Sequence, residues 1–142
     1  FIAGGPKCGT TALYVYLRGH RAIFMPTVKE PHFFCPELSR RLGVVSDLQE
    51  YLQLFRRAGP EHQAVGEASA LYLASKSSLS LIRDFDPSVR IVVMVRNPVE
   101  MAYALHAQQL RTCDEDVEDF EKAWNLQEDR RNGRLIPPTC RK

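Results

Sequence analysis

The sequence has no long hydrophobic run and no strong excess of one charge. No stretch reaches the roughly 18 consecutive apolar residues that a membrane span needs, so no membrane-spanning helix is predicted. The 19 lysines and arginines almost balance the 17 aspartates and glutamates, and the formal net charge is +2. Nucleic-acid-binding proteins usually concentrate far more positive charge, so we expect no nucleic acid partner. Small anions stay open as ligands.

Closely paired cysteines are absent as well. The four cysteines, Cys8, Cys35, Cys113 and Cys140, are widely spaced and form no Cys-x-x-Cys pair. This spacing argues against a zinc site or a thioredoxin-like motif, and no metal is predicted. Free thiols are expected, while a Cys113–Cys140 disulfide stays open for the case of a secretory protein.

Strand-like and helix-like segments alternate along the chain. Strands are predicted at residues 1–3, 22–25, 64–68 and 91–95, and helices at residues 10–18, 46–57, 75–85 and 98–110. The run Ile91–Val95 is continuous and rich in β-branched residues, which is typical of a strand buried on both faces of a parallel sheet. The alternation predicts an α/β fold with a central parallel sheet flanked by helices on both sides.

Charged residues predict one more helix near the end of the chain. Asp114-Glu115-Asp116 would lie near its start, Arg130-Arg131 near its end and Gly133 just beyond it. Acid at the N-terminus and base at the C-terminus both complement the helix dipole. We therefore interpret the acidic run as a solvated helix face rather than a metal site.

The segment Gly5–Thr11 lies between the first strand and the first helix and is a candidate anion site. Such a turn directs backbone N–H groups and the positive end of the helix dipole at one point. Gly5 and Gly9 would permit the tight path, Lys7 adds a positive charge, and Thr10 and Thr11 add hydroxyls. An ordinary turn with a capping threonine is the alternative interpretation.

A nucleoside triphosphatase would need a different loop. Its motif GxxxxGK[ST] has a lysine after the second glycine and a Mg²⁺-binding hydroxyl beside that lysine. Here Lys7 precedes Gly9, and the strand 91–95 ends in Arg96 rather than an aspartate. A metal-dependent P-loop phosphotransferase is therefore the least favoured function.

Three segments, in the correct order, resemble one family. Pro6-Lys7-Cys8-Gly9-Thr10-Thr11 resembles the 5′-phosphosulfate loop of sulfotransferases that use 3′-phosphoadenosine 5′-phosphosulfate (PAPS). Arg96–Tyr103 resembles their 3′-phosphate motif. Lys29-Glu30-Pro31-His32-Phe33-Phe34 resembles a segment of the heparan-sulfate-type carbohydrate sulfotransferases and their bacterial relatives. The resemblance implies a three-layer P-loop-like fold and PAPS as the sulfuryl donor.

The resemblance also implies roles for individual residues. Lys7 would stabilise the bridging oxygen as the phosphate–sulfate bond breaks, and Lys29 would orient the sulfuryl oxygens. Glu30 would be the general base that takes the acceptor's proton, and Arg96 would bind the 3′-phosphate. His32 either assists proton transfer or only packs and donates hydrogen bonds. Without the resemblance, Lys29 and Glu30 would be an ordinary surface ion pair.

One residue departs from the family pattern. The 3′-phosphate motif usually carries a serine eight residues after its arginine, and that position is Ala104 here. The missing hydroxyl removes one hydrogen bond to the phosphate. A catalytically weak or inactive module that binds PAPS or its product 3′-phosphoadenosine 5′-phosphate (PAP) is therefore the second hypothesis.

The extent and setting of the protein are expectations from the same resemblance. Residues 1–142 are expected to form the N-terminal and central portion of a single sulfotransferase domain whose C-terminal part continues further. The acceptor is expected to be a carbohydrate or another small hydroxylated molecule. A bacterial protein would be cytoplasmic, whereas an animal one would face the Golgi lumen.

Overall fold

The computed structural model describes residues 1–38 and 45–139. The chain divides into two compact units, Phe1–Val95 and Arg96–Lys142. The first unit contains β1 (Ile2–Gly4), α1 (Thr10–Arg18), β2 (Ile23–Phe24), α2 (Leu48–Gln53), β3 (Ala64–Val65), α3 (Ser78–Phe85) and β4 (Val92–Met94), with 3₁₀ turns at Pro36–Leu38 and Ala70–Leu73. The second contains α4 (Pro98–Thr112), α5 (Phe120–Asn125) and α6 (Gln127–Arg131).

All strand pairs in the first unit are parallel, as predicted. β1 pairs with β4, with Ile2 opposite Val92, and β2 pairs with β3. The chain that leaves β3 continues to Ala68, which forms a parallel bridge with Ile2. The strands therefore follow the order β2, β3, β1, β4, and β1 lies inside this arrangement.

Two apolar clusters pack around β1. Its successive residues Ile2 and Ala3 point to opposite faces of the sheet, as in any strand, and each belongs to a different cluster. Ile2 packs with Tyr14 of α1, whereas Ala3 belongs to the cluster of Tyr51 on α2 and Ile82 on α3. Helices thus cover the two faces of the strands, which confirms the predicted layered α/β architecture.

The strand 91–95 is present but is not buried on both faces. Val92 is 47% exposed and Val93 is 49% exposed. Among residues 1–38 and 45–139, β4 pairs with β1 alone, so it lies at the edge of the strand order. A β-branched run fits an edge strand as well as an inner one, and the sequence pattern could not distinguish them.

Two predicted helices are shorter than expected: α2 at its C-terminal end, where residues 54–56 form turns instead, and α3 at its start. The Asp47 carboxylate accepts the N–H of Glu50 at 2.9 Å and starts α2, which ends at Gln53 rather than residue 57. In α3 the first three predicted residues form a turn around the Glu37 carboxylate, and the helix begins at Ser78. By contrast, α1 has the predicted limits.

The acidic segment 114–116 is not a helix, which corrects the sequence-based interpretation. The helix begins later, at Phe120, where the Asp119 carboxylate accepts the N–H of Lys122 at 2.8 Å. Glu115 is 7% exposed and forms a two-pronged ion pair with Arg130. Its carboxylate is therefore a structural anion in the second unit and not part of a solvated face.

Two further absences apply to the part of the chain that the structure describes. None of its helices combines the length and the apolar character needed to cross a membrane. None of its groups of His, Cys, Asp and Glu side chains has the arrangement to hold a metal ion. Cys8 and Cys35 are free thiols. The suggested Cys113–Cys140 disulfide involves Cys140, which lies outside the described residues.

Candidate functional site

The loop between β1 and α1 forms a cradle of backbone groups. The N–H of Gly5 donates to the Met94 carbonyl at 3.2 Å, which fixes the loop to the end of β4. Gly9 is the N-cap of α1 with φ 87°, and no side chain caps the helix. The first N–H groups of α1 are thus left for another acceptor. This arrangement disfavours the turn with a capping threonine and favours an anion site.

The side chains of this loop divide between the core and the surface. Cys8 and Thr10 are buried, whereas Lys7 and Thr11 are exposed. Within residues 1–38 and 45–139, the Lys7 ammonium forms no ion pair. Lys7 has φ 60°, in the left-handed region that favours glycine. An exposed lysine in the loop that precedes an uncapped helix suits the binding of a phosphate or sulfate group.

The second predicted segment, 29–34, is also held in an unusual backbone conformation. Glu30 and His32 have φ 59° and 52°, so both lie in the left-handed region. Non-glycine residues there cost about 1–3 kcal/mol each and persist only where the surroundings fix them. The N–H of Glu30 donates to the Ala68 carbonyl at 2.9 Å, and the N–H of His32 donates to Ser69 Oγ at 3.1 Å.

Lys29, Glu30 and His32 lie in contact with one another. The Lys29 ammonium donates to Glu30 Oε1, and His32 Nε2 lies 3.2 Å from Glu30 Oε2. These two contacts, the one with His32 foremost, lower the pKa of the Glu30 carboxyl to about 2 against the opposing effect of burial. The carboxylate is therefore ionised at neutral pH. His32 is 3% exposed, and its Nδ1 has no partner within the described residues.

Both segments lie at the carboxyl ends of parallel strands in the first unit. The cradle follows β1, and segment 29–34 follows β2. Between them runs the extended segment 67–69, which exchanges hydrogen bonds with Ile2 on one side and accepts the N–H of Glu30 on the other. Ligands of open α/β sheets bind at this end of the strands. The fold thus places the cradle and the carboxylate at one edge of the first unit.

The sequence analysis missed three residues beneath this edge. Glu67, Ser69 and Tyr72 are buried, and the Glu67 carboxylate accepts hydrogen bonds from both hydroxyls. One feature of the sequence could have indicated them: Glu67 is an acidic residue within the predicted strand 64–68, and such a residue is rarely buried without polar partners.

The predicted 3′-phosphate residues lie in the second unit. Asn97 caps α4 by accepting the N–H of Val99 at 3.0 Å, and Pro98 occupies the first turn, as predicted. Arg96 is exposed and donates through Nε to Glu100 Oε2 at 3.0 Å. Ala104 lies on α4 and is partly buried.

The parallel strand, the glycine-containing loop and the uncapped helix define an α/β protein of the phosphate-binding class. Comparison with known proteins identifies the family within that class. A family model described as "Sulfotransferase domain" matches residues 1–134. The chain therefore belongs to the sulfotransferase family.

Individual relatives agree with this assignment. The chain is 28% identical to carbohydrate sulfotransferase 15 of Homo sapiens over 89% of its length. It is 33% identical to heparan sulfate glucosamine 3-O-sulfotransferase 6 of Homo sapiens over 77%. Each match covers about 30% of that relative's length. The crystal structure of a sulfotransferase from Alicyclobacillus acidocaldarius superposes on the whole chain with a TM-score of 0.83 and 31% identity, and 61% of that protein is covered. The predicted P-loop-like fold is confirmed.

Proposed function

We propose that this protein transfers a sulfuryl group from PAPS to a hydroxyl of a carbohydrate acceptor. The observation that carries the proposal is the cradle 5–11, where an uncapped helix N-terminus follows Lys7, an exposed lysine without an ion pair among the described residues. Both features bind an anion without a metal ion. A donor with a 5′-phosphosulfate group fits this arrangement. We also propose that residues 1–142 belong to one sulfotransferase domain.

Lys7 is proposed to act on the leaving group. As the sulfuryl group departs, negative charge grows on the oxygen that had bridged phosphate and sulfate. An ammonium aimed at that oxygen is worth roughly 3–4 kcal/mol of transition-state stabilisation, by analogy with other donors placed at developing charge. Lys29, which contacts Glu30 after the end of β2, is proposed to orient the sulfuryl oxygens.

Glu30 is proposed to be the general base. In the free protein the contacts with His32 and Lys29 keep it ionised and weaken it as a base. When Lys29 turns to the sulfuryl oxygens of the bound donor, the carboxylate regains basicity and can accept the proton of the acceptor hydroxyl while that oxygen attacks sulfur. His32 contacts the same carboxylate through Nε2 and is proposed to hold it in place during proton transfer. General base catalysis of this kind typically contributes about 10²- to 10⁴-fold in rate.

The 3′-phosphate of the donor is proposed to bind Arg96. A guanidinium group offers two parallel N–H donors to a phosphate. In this structure one of them pairs with Glu100, and donor binding would replace that exposed contact, which is itself worth little. Ala104 offers no hydroxyl at the position where the family motif has a serine.

A basic cleft in the first unit supports an acidic carbohydrate as the acceptor. The cleft has a volume of about 760 Å³. Its lining carries four arginines, Arg18, Arg21, Arg56 and Arg57, against two glutamates, Glu50 and Glu61. It extends to Thr27, two residues before Lys29. The named targets of the two human relatives, carbohydrate and heparan sulfate, agree with a sugar chain that carries anionic groups.

The proposal is tested by measuring donor binding and transfer with the same protein. Titration calorimetry with PAP should give binding that a metal chelator leaves unchanged, with ATP bound no better. With PAPS and a panel of sulfated and neutral polysaccharides, Glu30→Gln should lower the transfer rate about 10²- to 10⁴-fold and leave PAP binding intact. Glu128→Gln, whose exposed carboxylate pairs with Arg131, is a matched control outside the proposed base and donor sites, and it should retain transfer.

Other outcomes would point to other functions. PAP binding without transfer to any polysaccharide would favour the weak or inactive donor-binding module that Ala104 suggests. Mg²⁺-dependent hydrolysis of ATP would overturn the sulfotransferase proposal in favour of a phosphotransferase. Full activity of Glu30→Gln would remove Glu30 from the mechanism.

A further inference from the structure

A buried carboxyl group lies directly behind the proposed transfer site. Glu67 is 1% exposed, and no lysine or arginine in the described parts of the chain forms an ion pair with it. Burial raises the pKa of this carboxyl. Its oxygens accept hydrogen bonds from Ser69 Oγ at 2.9 Å and from the Tyr72 hydroxyl at 2.5 Å. Such a group is retained only where its hydrogen bonds are made.

The Tyr51 hydroxyl also contacts Glu67, whereas the hydroxyls of Ser69 and Tyr72 each accept a backbone N–H of segment 29–34 as well. Ser69 Oγ accepts the N–H of His32 at 3.1 Å, and the Tyr72 oxygen accepts the N–H of Phe34 at 3.4 Å. A hydroxyl has one proton, so donating it to Glu67 turns the lone pairs toward these N–H groups. Glu67 therefore fixes the direction of two hydrogen bonds that anchor the segment.

Segment 29–34 has a strained backbone that requires such hydrogen bonds to stay in place. Glu30 and His32 both have left-handed backbone conformations, which relax unless neighbouring groups hold them. The His32 ring packs edge-on against Tyr72, with ring centroids 6.4 Å apart, and its Nδ1 has no partner in the described region. Its position therefore depends on this packing, on the backbone anchor and on the contact with Glu30.

We infer that Glu67 is a positioning residue of the transfer reaction: through Ser69 and Tyr72 it holds segment 29–34 so that His32 and Glu30 stay aligned at the site. The inference rests on the proposed function and adds a residue that touches neither donor nor acceptor. A purely structural carboxyl would affect stability alone, whereas a positioning residue affects the turnover of folded protein.

The first test is to remove the anchor without changing the cradle. Ser69→Ala should lower kcat about 10- to 100-fold, because small displacements of reacting groups have effects of this size. The KM for PAPS and the affinity for PAP should change less than twofold. Glu67→Met should behave like Ser69→Ala. Glu67→Gln keeps the shape, but its one amide oxygen can accept from only one of the two hydroxyls, so its loss of kcat should be intermediate.

Ser78→Ala provides the matched control. Ser78 is as fully buried as Ser69 and donates to the Phe34 carbonyl at 2.6 Å, so it anchors the same segment without contacting Glu67. It should lower the melting temperature to a similar extent and leave kcat within about threefold. If kcat falls equally in both serine variants, or remains unchanged in Ser69→Ala, the inference is overturned.

Backbone hydrogen exchange separates this inference from the proposed function. The His32 N–H should exchange at least tenfold faster in Glu67→Met, where its acceptor Ser69 Oγ is kept, and in Ser69→Ala, where that acceptor is removed, but at the wild-type rate in Ser78→Ala. Unchanged exchange at His32 would refute the positioning role. If the wild-type protein neither binds PAP nor transfers sulfuryl groups, the proposed function fails, and the exchange rates still decide whether Glu67 holds the segment. If Glu67→Met does not fold, Glu67→Gln carries both measurements, with an intermediate effect expected on kcat and on His32 exchange.

Discussion

Three of the proposed catalytic residues share a backbone conformation that their side chains disfavour. Lys7, Glu30 and His32 have φ values of 60°, 59° and 52°. Glycine would adopt these angles without steric cost. The side chains therefore occupy positions that backbone energetics alone would assign to glycine, as is common where strain is tolerated at functional sites.

Because glycine would relieve this strain, Lys7→Gly is predicted to lower the rate of transfer without lowering stability. The substitution removes the strained side chain, so the melting temperature should stay within about 3 °C of wild type or rise. Transfer should fall about 10²- to 10³-fold because the leaving-group cation is lost. Leu135 also has positive φ, at 49°, and is exposed. Leu135→Gly should relieve similar strain with no effect on transfer, and a large loss of transfer there would contradict the argument.

Ala104→Ser is predicted to strengthen binding of the donor nucleotide. A hydroxyl that donates to a phosphate is worth about 1.5–3 kcal/mol, which corresponds to roughly tenfold to somewhat over a hundredfold in affinity. Calorimetry with PAP measures the change, and adenosine 5′-phosphate, which lacks the 3′-phosphate, is the control ligand. No gain for PAP would mean that the 3′-phosphate is held elsewhere.

At the scale of elements, the approach of β1 to β4 depends on one glycine. A Cβ placed on Gly4 would lie 2.4 Å from the Met94 carbonyl oxygen, a backbone atom that moves only with its strand. Gly4→Ala should therefore lower the free energy of unfolding by about 2 kcal/mol or more and weaken PAP binding, measured by denaturant unfolding and calorimetry. Gly19→Ala meets nothing closer than 3.6 Å. Gly19→Ala should therefore change the free energy of unfolding and PAP binding very little. Losses as large as those of Gly4→Ala would contradict this account.

The ion pair between Glu115 and Arg130 is predicted to stabilise the second unit in a pH-dependent way. Hydrogen bonds from Arg130, foremost, lower the pKa of Glu115 to about 2. The stabilisation is thus complete above the unfolded-state pKa near 4.5 and is lost as the pH falls toward 2. Glu115→Gln should lower the free energy of unfolding by about 3 kcal/mol at pH 7. Measured by urea unfolding, the difference between wild type and variant should become smaller below about pH 4.5. Glu128 forms an exposed ion pair with Arg131, so Glu128→Gln should change the free energy of unfolding little at any pH.

At the scale of the whole molecule, the parts predicted well are those that local sequence determines. The glycine spacing and the apolar period of α1 gave its exact limits, and Pro98 correctly started α4. Glu115 was misplaced because its local neighbours resemble a helix start, whereas its partner Arg130 lies fifteen residues away. The contacts of Glu67 with Ser69 and Tyr72 depend on burial that only the folded chain creates.

The pairing of β1 with β4 sets an order of events during synthesis. Ile2 pairs with Val92, so about 90 residues separate the two partners, and such distant pairings form slowly. At about 5–20 residues per second, translation of that interval takes roughly 5 to 20 s. Throughout this time the N–H of Gly5 lacks its Met94 acceptor. The cradle is therefore among the last parts of the first unit to mature on the ribosome, although its residues are made among the earliest.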